Sequence, residues 1–175
     1  MKALWVILGL APLLLPAQQN DAPFPEEARR RLDYAIGSWQ SKTETLGRQG
    51  EVIRTTVSED ERRFVIEDRV VEISGVMEAT GRTFRAWEYY DVQNQKYVLT
   101  SIDRDGRLIT MSGELGKEFR WTSEPRGLPD GSSFLMRNTH FDVEATSFTA
   151  LGEISRDGGK TWRAFVRQFL TRRDE

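Results

Sequence analysis

The 175-residue chain sets 25 Lys and Arg against 27 Asp and Glu, a formal charge of −2, and contains one His and no Cys. A nearly neutral, slightly acidic balance has the wrong sign for a nucleic-acid footprint. The lack of thiols excludes disulfides, thiol catalysis and Cys-zinc sites, while an oxidising compartment stays compatible.

The N-terminus reads as a targeting segment. Met1-Lys2 supplies a positive charge, Ala3 to Leu15 is apolar apart from Gly9 and Pro12, and Leu15-Pro16-Ala17 precedes the polar Gln18-Gln19-Asn20-Asp21. Charge, short apolar run and small residue in that order predict a cleaved export signal over residues 1–17. A spanning helix needs about 20 apolar residues, so no stable membrane anchor is expected after cleavage. A lipoprotein anchor would need a Cys behind the run. The mature protein is therefore expected in the periplasm or secreted, and loss of Lys2 moves its formal charge from −2 to −3. Residues 18–24 read as a flexible lead-in and residues 25–175 as one domain, large enough to bury a core without covalent staples.

Pro25-Glu26-Glu27 starts a helix, with acids where the dipole favours them. Ala28, Leu32, Ala35 and Ile36 then recur at helical spacing up to Gly37, which predicts one short amphipathic helix. Beyond Gly37 the texture changes to β-branched and aromatic runs separated by turn clusters, among them Gly47 to Gly50, Asp91 to Lys96, Asp103 to Gly106, Gly113 to Lys117, Glu124 to Ser132 and Arg156 to Gly159. Their even spacing predicts an all-β sandwich or barrel of about nine or ten antiparallel strands. Phe119 and Trp121 alternate cleanly with Arg120 and Thr122, and Phe148, Ala150, Gly152 and Ile154 with Thr149, Leu151 and Glu153. Thr83 to Tyr90 is untidy, with aromatic and charged residues on both faces. A sandwich keeps charges off its inner face, whereas a barrel lumen tolerates them, so the pattern favours an up-and-down barrel. The basic clusters Arg29-Arg30-Arg31 and Arg172-Arg173 read as solvated domain edges.

An ordered set of segments carries a resemblance. Gly37-Ser38-Trp39 follows the helix and opens the first strand, like the Gly-x-Trp signature of lipocalin-like (calycin) barrels. Tyr90 to Val98, Ile102-Asp103 and Arg107 to Gly113 then follow in order, with Ser155 to Trp162 and Arg167 near the end. From about Leu32 to Arg172 the succession resembles a family of bacterial secreted proteins with a lipocalin-like fold, catalogued as domain-of-unknown-function family 1579. What the resemblance implies is fold, since that family has no settled activity. It also implies that Gly37 and Trp39 are structural, Trp39 closing one end with an Arg of the last strand, Arg167 or Arg172, laid over its ring as a cation–π pair.

Several patterns invite chemistry. Ser155-x-Asp157-x-Gly159-x-Thr161-Trp162 matches the Asp-box of sialidases, but a single copy is a hairpin device, making Asp157, Gly159 and Trp162 structural. His140 offers a general base or a haem ligand, as in nitrobindins, which are also lipocalin-like barrels. Their ligand sits near the last strand and His140 does not, so it reads as a strand His and no cofactor is expected. A metal site would need carboxylates alone, and Asp103-x-Asp105-Gly106 is too short for a calcium loop, so no metal is expected. Among the strand acids, Glu67, Asp68, Glu72 and Glu88, two could converge inside a barrel.

The middle strands carry Trp87, Tyr89, Tyr97, Phe119, Trp121, Phe134 and Met136. These residues either fill the barrel or, with polar groups such as Arg85, Glu88 and Arg137, line a pocket for an amphipathic molecule. The favoured function is an exported barrel binding a small, partly hydrophobic ligand through Arg85, Trp87, Glu88, Tyr89, Phe119, Trp121, Met136 and His140. The alternatives are an isomerase or hydrolase using Glu88 or His140 as acid or base, and a filled structural barrel.

Overall fold

The computed structural model describes residues 24–77, 81–103, 106, 108–114 and 119–173. The expected export signal, most of the lead-in and parts of the turns expected after Asp103 and Gly113 lie outside them. Helix α1 spans Glu26–Asp33, with Glu26 and Glu27 in its first turn and Arg30 and Arg31 in its last, the order the helix dipole favours. The helical spacing points on to Ile36, yet the regular helix stops at Asp33 and the chain tightens into i→i−3 bonds, Ala35 N–H to Leu32 O and Ile36 N–H to Asp33 O. Trp39 Nε1 donates to Ala35 O at 2.8 Å, and the Arg172 guanidinium donates to the carbonyls of Tyr34 and Ile36. Gly37 turns the chain away at φ +126°, where an L side chain is strained, and a Cβ there would run into Arg172.

The strands are β1 (Gly37–Leu46), β2 (Val52–Ile66), β3 (Val70–Met77), β4 (Arg82–Asp91), β5 (Lys96–Asp103), β6 (Leu108–Glu114), β7 (Phe119–Ser123), β8 (Arg126–Gly127), β9 (Ser133–Phe141), β10 (Ser147–Ser155) and β11 (Arg163–Arg172). Ten of them close a ring in the order β10-β11-β1-β2-β3-β4-β5-β6-β7-β9, with β9 pairing back onto β10. The pairings are antiparallel, so the chain is an up-and-down barrel preceded by one short helix. Closure leaves no open sheet edge in the ring. β8 is a two-residue strand attached to β9 alone.

Alternation sorts each strand into a lumen face and an outer face. On β10, Phe148, Ala150 and Gly152 are buried, and on β7 Trp121 and Ser123 are. The register carries the inner face round the ring: Trp39 pairs with Asp60 and Arg172, Val71 with Glu88, Glu88 with Leu99, and Phe119 with His140. The untidy β4 resolves the same way. Ala86, Glu88 and Tyr90 face in, so Arg85, Trp87 and Tyr89 face out, contrary to their expected place in the lumen. Arg85 instead bonds Glu72 at 2.5 Å, and Arg63 bonds the same carboxylate at 3.2 Å on the outer face. Arg137 is also external, paired with Glu153 at 2.7 Å and lying 4.2 Å from the Trp162 ring centroid. Glu67 and Asp68 are not strand residues; they form the β2–β3 turn with φ of 41° and 57°.

α1 and the β1 entrance cover one end of the barrel. Ala28, Leu32 and Ala35 are fully buried, as is Trp39. Arg172, rather than the outward-facing Arg167, lies over the Trp39 ring at 4.6 Å, so this part of the basic C-terminus is not solvated surface. The parity of the register decides it: Arg172 sits directly opposite Trp39, while Arg167 pairs with Glu44. At the other end of β11, Asp157 accepts from Thr161 N–H at 3.0 Å and Thr161 Oγ1–H at 2.6 Å, while Ser155 donates to it at 2.7 Å. These bonds, those from Thr161 foremost, hold its carboxyl well below the usual range. Gly158 and Gly159 take φ of 73° and 89°, and Trp162 Nε1 donates to Gly159 O at 3.0 Å. The Asp-box segment is the β10–β11 hairpin.

Candidate functional site

The apolar core divides in two. One cluster joins Leu32, Val71, Ile73, Ala86, Tyr90, Tyr97, Met111 and Trp121; the other joins Trp39, Phe148, Ala150 and Leu170. The inner face also carries a set of buried polar side chains: Ser41, Ser58, Asp60, Arg62, Glu88, Ser123 and His140. A barrel that only had to be filled would not need them, because buried polar groups are costly unless bonded.

β2 supplies the cation. Ser58, Asp60 and Arg62 face in while Glu59, Glu61 and Arg63 face out. Arg62 Nε donates to Asp60 Oδ2 at 2.7 Å, and the guanidinium lies 5.9 Å from the Trp39 centroid and 5.2 Å from that of Phe148. These residues escape a first reading of the sequence because Ser58-Glu59-Asp60-Glu61-Arg62-Arg63 looks like a solvated charged run. The available signal was parity with Phe64, an apolar residue that marks the inner face of the same strand.

His140 is built in from three sides. Its Nδ1 lies 2.5 Å from Tyr34 Oη, its Nε2 lies 3.2 Å from Asn138 Nδ2, and its ring sits 4.8 Å from Trp121 and 4.9 Å from Phe148. With Asn138 donating to Nε2, the proton rests on Nδ1 and goes to the Tyr34 oxygen; turning the amide over reverses the chain. Either arrangement is complete with an uncharged ring and engages both nitrogens. Burial, and next the Arg62 guanidinium, push the His140 pKa down to about 3. Burial likewise raises the Tyr34 hydroxyl well above its ordinary value, with Glu88 adding to the rise and Arg62 opposing it.

Glu88 is 2% exposed. Burial pushes its pKa up to about 7, with Arg62 drawing it back. Among the described residues, three buried atoms on the inner face meet no protein hydrogen-bond partner: Ser41 Oγ, Tyr97 Oη and Trp121 Nε1. Of the sequence-predicted site residues, Glu88, Phe119, Trp121, Met136 and His140 share the lumen, while Arg85, Trp87 and Tyr89 do not. Asp60, Arg62, Tyr34, Ser41 and Asn138 join the lumen group without having been singled out.

The barrel is similar to a known structure. The crystal structure of Rv2717c from M. tuberculosis superposes with a TM-score of 0.57 at 12% identity, over 84% of this chain and 98% of that one. At this identity the likeness shows a shared fold. No protein-family model matches the chain, and no curated protein does. A groove of about 670 Å³ runs along β2 to β5 beside the exposed Arg173–Glu59 pair at 2.8 Å, lined by the inward-facing Asp60 and by Phe84 as well as by the outer Glu59, Glu61 and Arg85. A second cavity of about 310 Å³ flanks the short β6–β7 pairing.

Proposed function

We propose that this chain is an exported small-molecule-binding barrel that holds a partly hydrophobic compound in its lumen. The observation that carries the reading is the set of buried, inward-facing atoms Ser41 Oγ, Tyr97 Oη and Trp121 Nε1, which have no protein partner among the described residues. Leaving such groups unsatisfied costs roughly 1–3 kcal/mol each, a cost a bound molecule offsets. Export rests on Lys2, the apolar run and Ala17, and agrees with the resemblance to the secreted domain-of-unknown-function family 1579. The test is native mass spectrometry of the mature protein purified from its own host. A mass excess that is lost on denaturation is expected. A bare polypeptide mass, with no binding of apolar probes, would leave a filled structural barrel.

Glu88 favours a second reading, an isomerase or hydrolase working by acid–base chemistry. A buried carboxyl poised at about 7 can both give and take a proton near neutral pH. His140 is less suited, since both of its nitrogens are engaged and its pKa lies near 3. Turnover of the retained compound that disappears in Glu88→Gln, with retention unchanged, would move the assignment to an enzyme.

A further inference from the structure

Resting on the lumen-binding reading, we propose that the ligand is an uncharged apolar molecule bearing hydrogen-bond acceptors, of the class of aromatic or alicyclic ketones, esters and lactones, and that the lumen rejects carboxylates and ammonium ions. The unpartnered groups set the polarity. The Trp121 indole N–H can only donate, so whatever meets it must accept. The hydroxyls of Tyr97 and Ser41 can donate as well, and the three stand on different strands, β7, β5 and β1. Apolar side chains adjoin them: Tyr90 packs edge-on to Tyr97 at 5.1 Å, and Trp121, Met111 and Leu99 belong to the same cluster.

The charges set the exclusion. Arg62 is already paired through Nε with Asp60 at 2.7 Å and lies against the Trp39 and Phe148 rings, so an incoming carboxylate would have to compete with Asp60 for it. An anion would also meet the Asp60 and Glu88 carboxyls. An ammonium ion would have to shed its water beside Arg62, and neutral His140, committed to Tyr34 and Asn138, brings no charge to offset either. Glu88 fits the same picture, since burial raises it to about 7 and favours its uncharged form.

The test is isothermal titration of the purified mature protein with two matched series. On a benzene frame these are benzene, acetophenone, benzoate and benzylammonium; on a naphthalene frame they are naphthalene, 2-acetylnaphthalene, 2-naphthoate and 2-naphthylmethylammonium. Acetyl and carboxylate groups are close in shape, so the comparison isolates charge. On whichever frame binds, the ketone is expected to bind about tenfold tighter than the hydrocarbon and both ions, which is one well-made hydrogen bond. Tyr97→Phe should remove most of that preference and keep or raise the melting temperature, which a packing role would not do. Trp121→Phe should likewise collapse the ketone-to-hydrocarbon ratio. An ion binding as tightly as the ketone, or a hydrocarbon equal to it, overturns the ligand class while binding in the lumen stands. No binding by any member of either series overturns the lumen-binding reading along with it.

Discussion

Two buried groups in the lumen titrate in opposite senses, and their opposition can be exposed by mutation. Glu88 has its pKa raised from 4.5 to about 7, chiefly by burial and against the pull of Arg62, so the folded state holds its proton more tightly than the unfolded chain. Its contribution to stability is complete below pH 4.5 and is lost as pH rises towards 7. His140 has its pKa lowered from 6.5 to about 3, by burial and next by Arg62, so its contribution is complete above pH 6.5 and is lost as pH falls towards 3. Each group gives a slope of about 1.4 kcal/mol per pH unit where only one state binds the proton. Between pH 4.5 and 6.5 the slopes oppose and nearly cancel. Glu88→Gln should therefore unmask a rise of about 3 kcal/mol in unfolding free energy from pH 4.5 to 6.5, relative to wild type. His140→Gln should unmask a fall of similar size. Urea unfolding followed by tryptophan fluorescence at several pH values reads both, and taking differences from wild type removes the background from Asp91, Asp130 and Asp157, all of which are held low by hydrogen bonds. If both variants keep the wild-type pH slope, the two groups titrate as they do in water, and the account of a dry lumen with an uncharged His140 is wrong.

Three further outcomes are expected. Trp39→Ala should cost about 3–5 kcal/mol in equilibrium unfolding, because a fully buried ring packed on Phe148 and Arg172 leaves a cavity at the closed end; a shift under about 1 kcal/mol would take Trp39 out of the core. Arg172→Met should destabilise by roughly 2–4 kcal/mol through loss of the ring contact and the bonds to the Tyr34 and Ala145 carbonyls, whereas Arg167→Met should stay within about 0.5 kcal/mol, so equal effects would contradict the register. N-terminal sequencing of exported material should begin near Gln18, and material starting at Met1 would refute cleavage after Ala17.

The sequence by itself determined the class of fold. Turn clusters at short, even intervals and a period of two between them leave an antiparallel all-β chain as the consistent solution, and the mixed faces of β4 already argued for a barrel. Phe119 and Trp121 were legible as lumen residues because an aromatic pair alternates there with Arg120 and Thr122. Glu88 and His140 were visible as candidates by residue type alone.

Only tertiary structure decided which face of each strand turns inward. Period-two alternation divides a strand into two sets without saying which is buried, and β4 offers an aromatic and a charged residue in both. Closure of the ring settles it: Val71, opposite Glu88, is an inner-face residue, so Arg85, Trp87 and Tyr89 face outward. The same applies to Arg172 against Arg167, five residues apart and therefore of opposite parity, and to Asp60 and Arg62, hidden in a run that reads as surface. The meeting of Tyr34 with His140 joins residues 106 positions apart. Such a contact depends on where α1 comes to rest over the end of the barrel, and no local pattern encodes that.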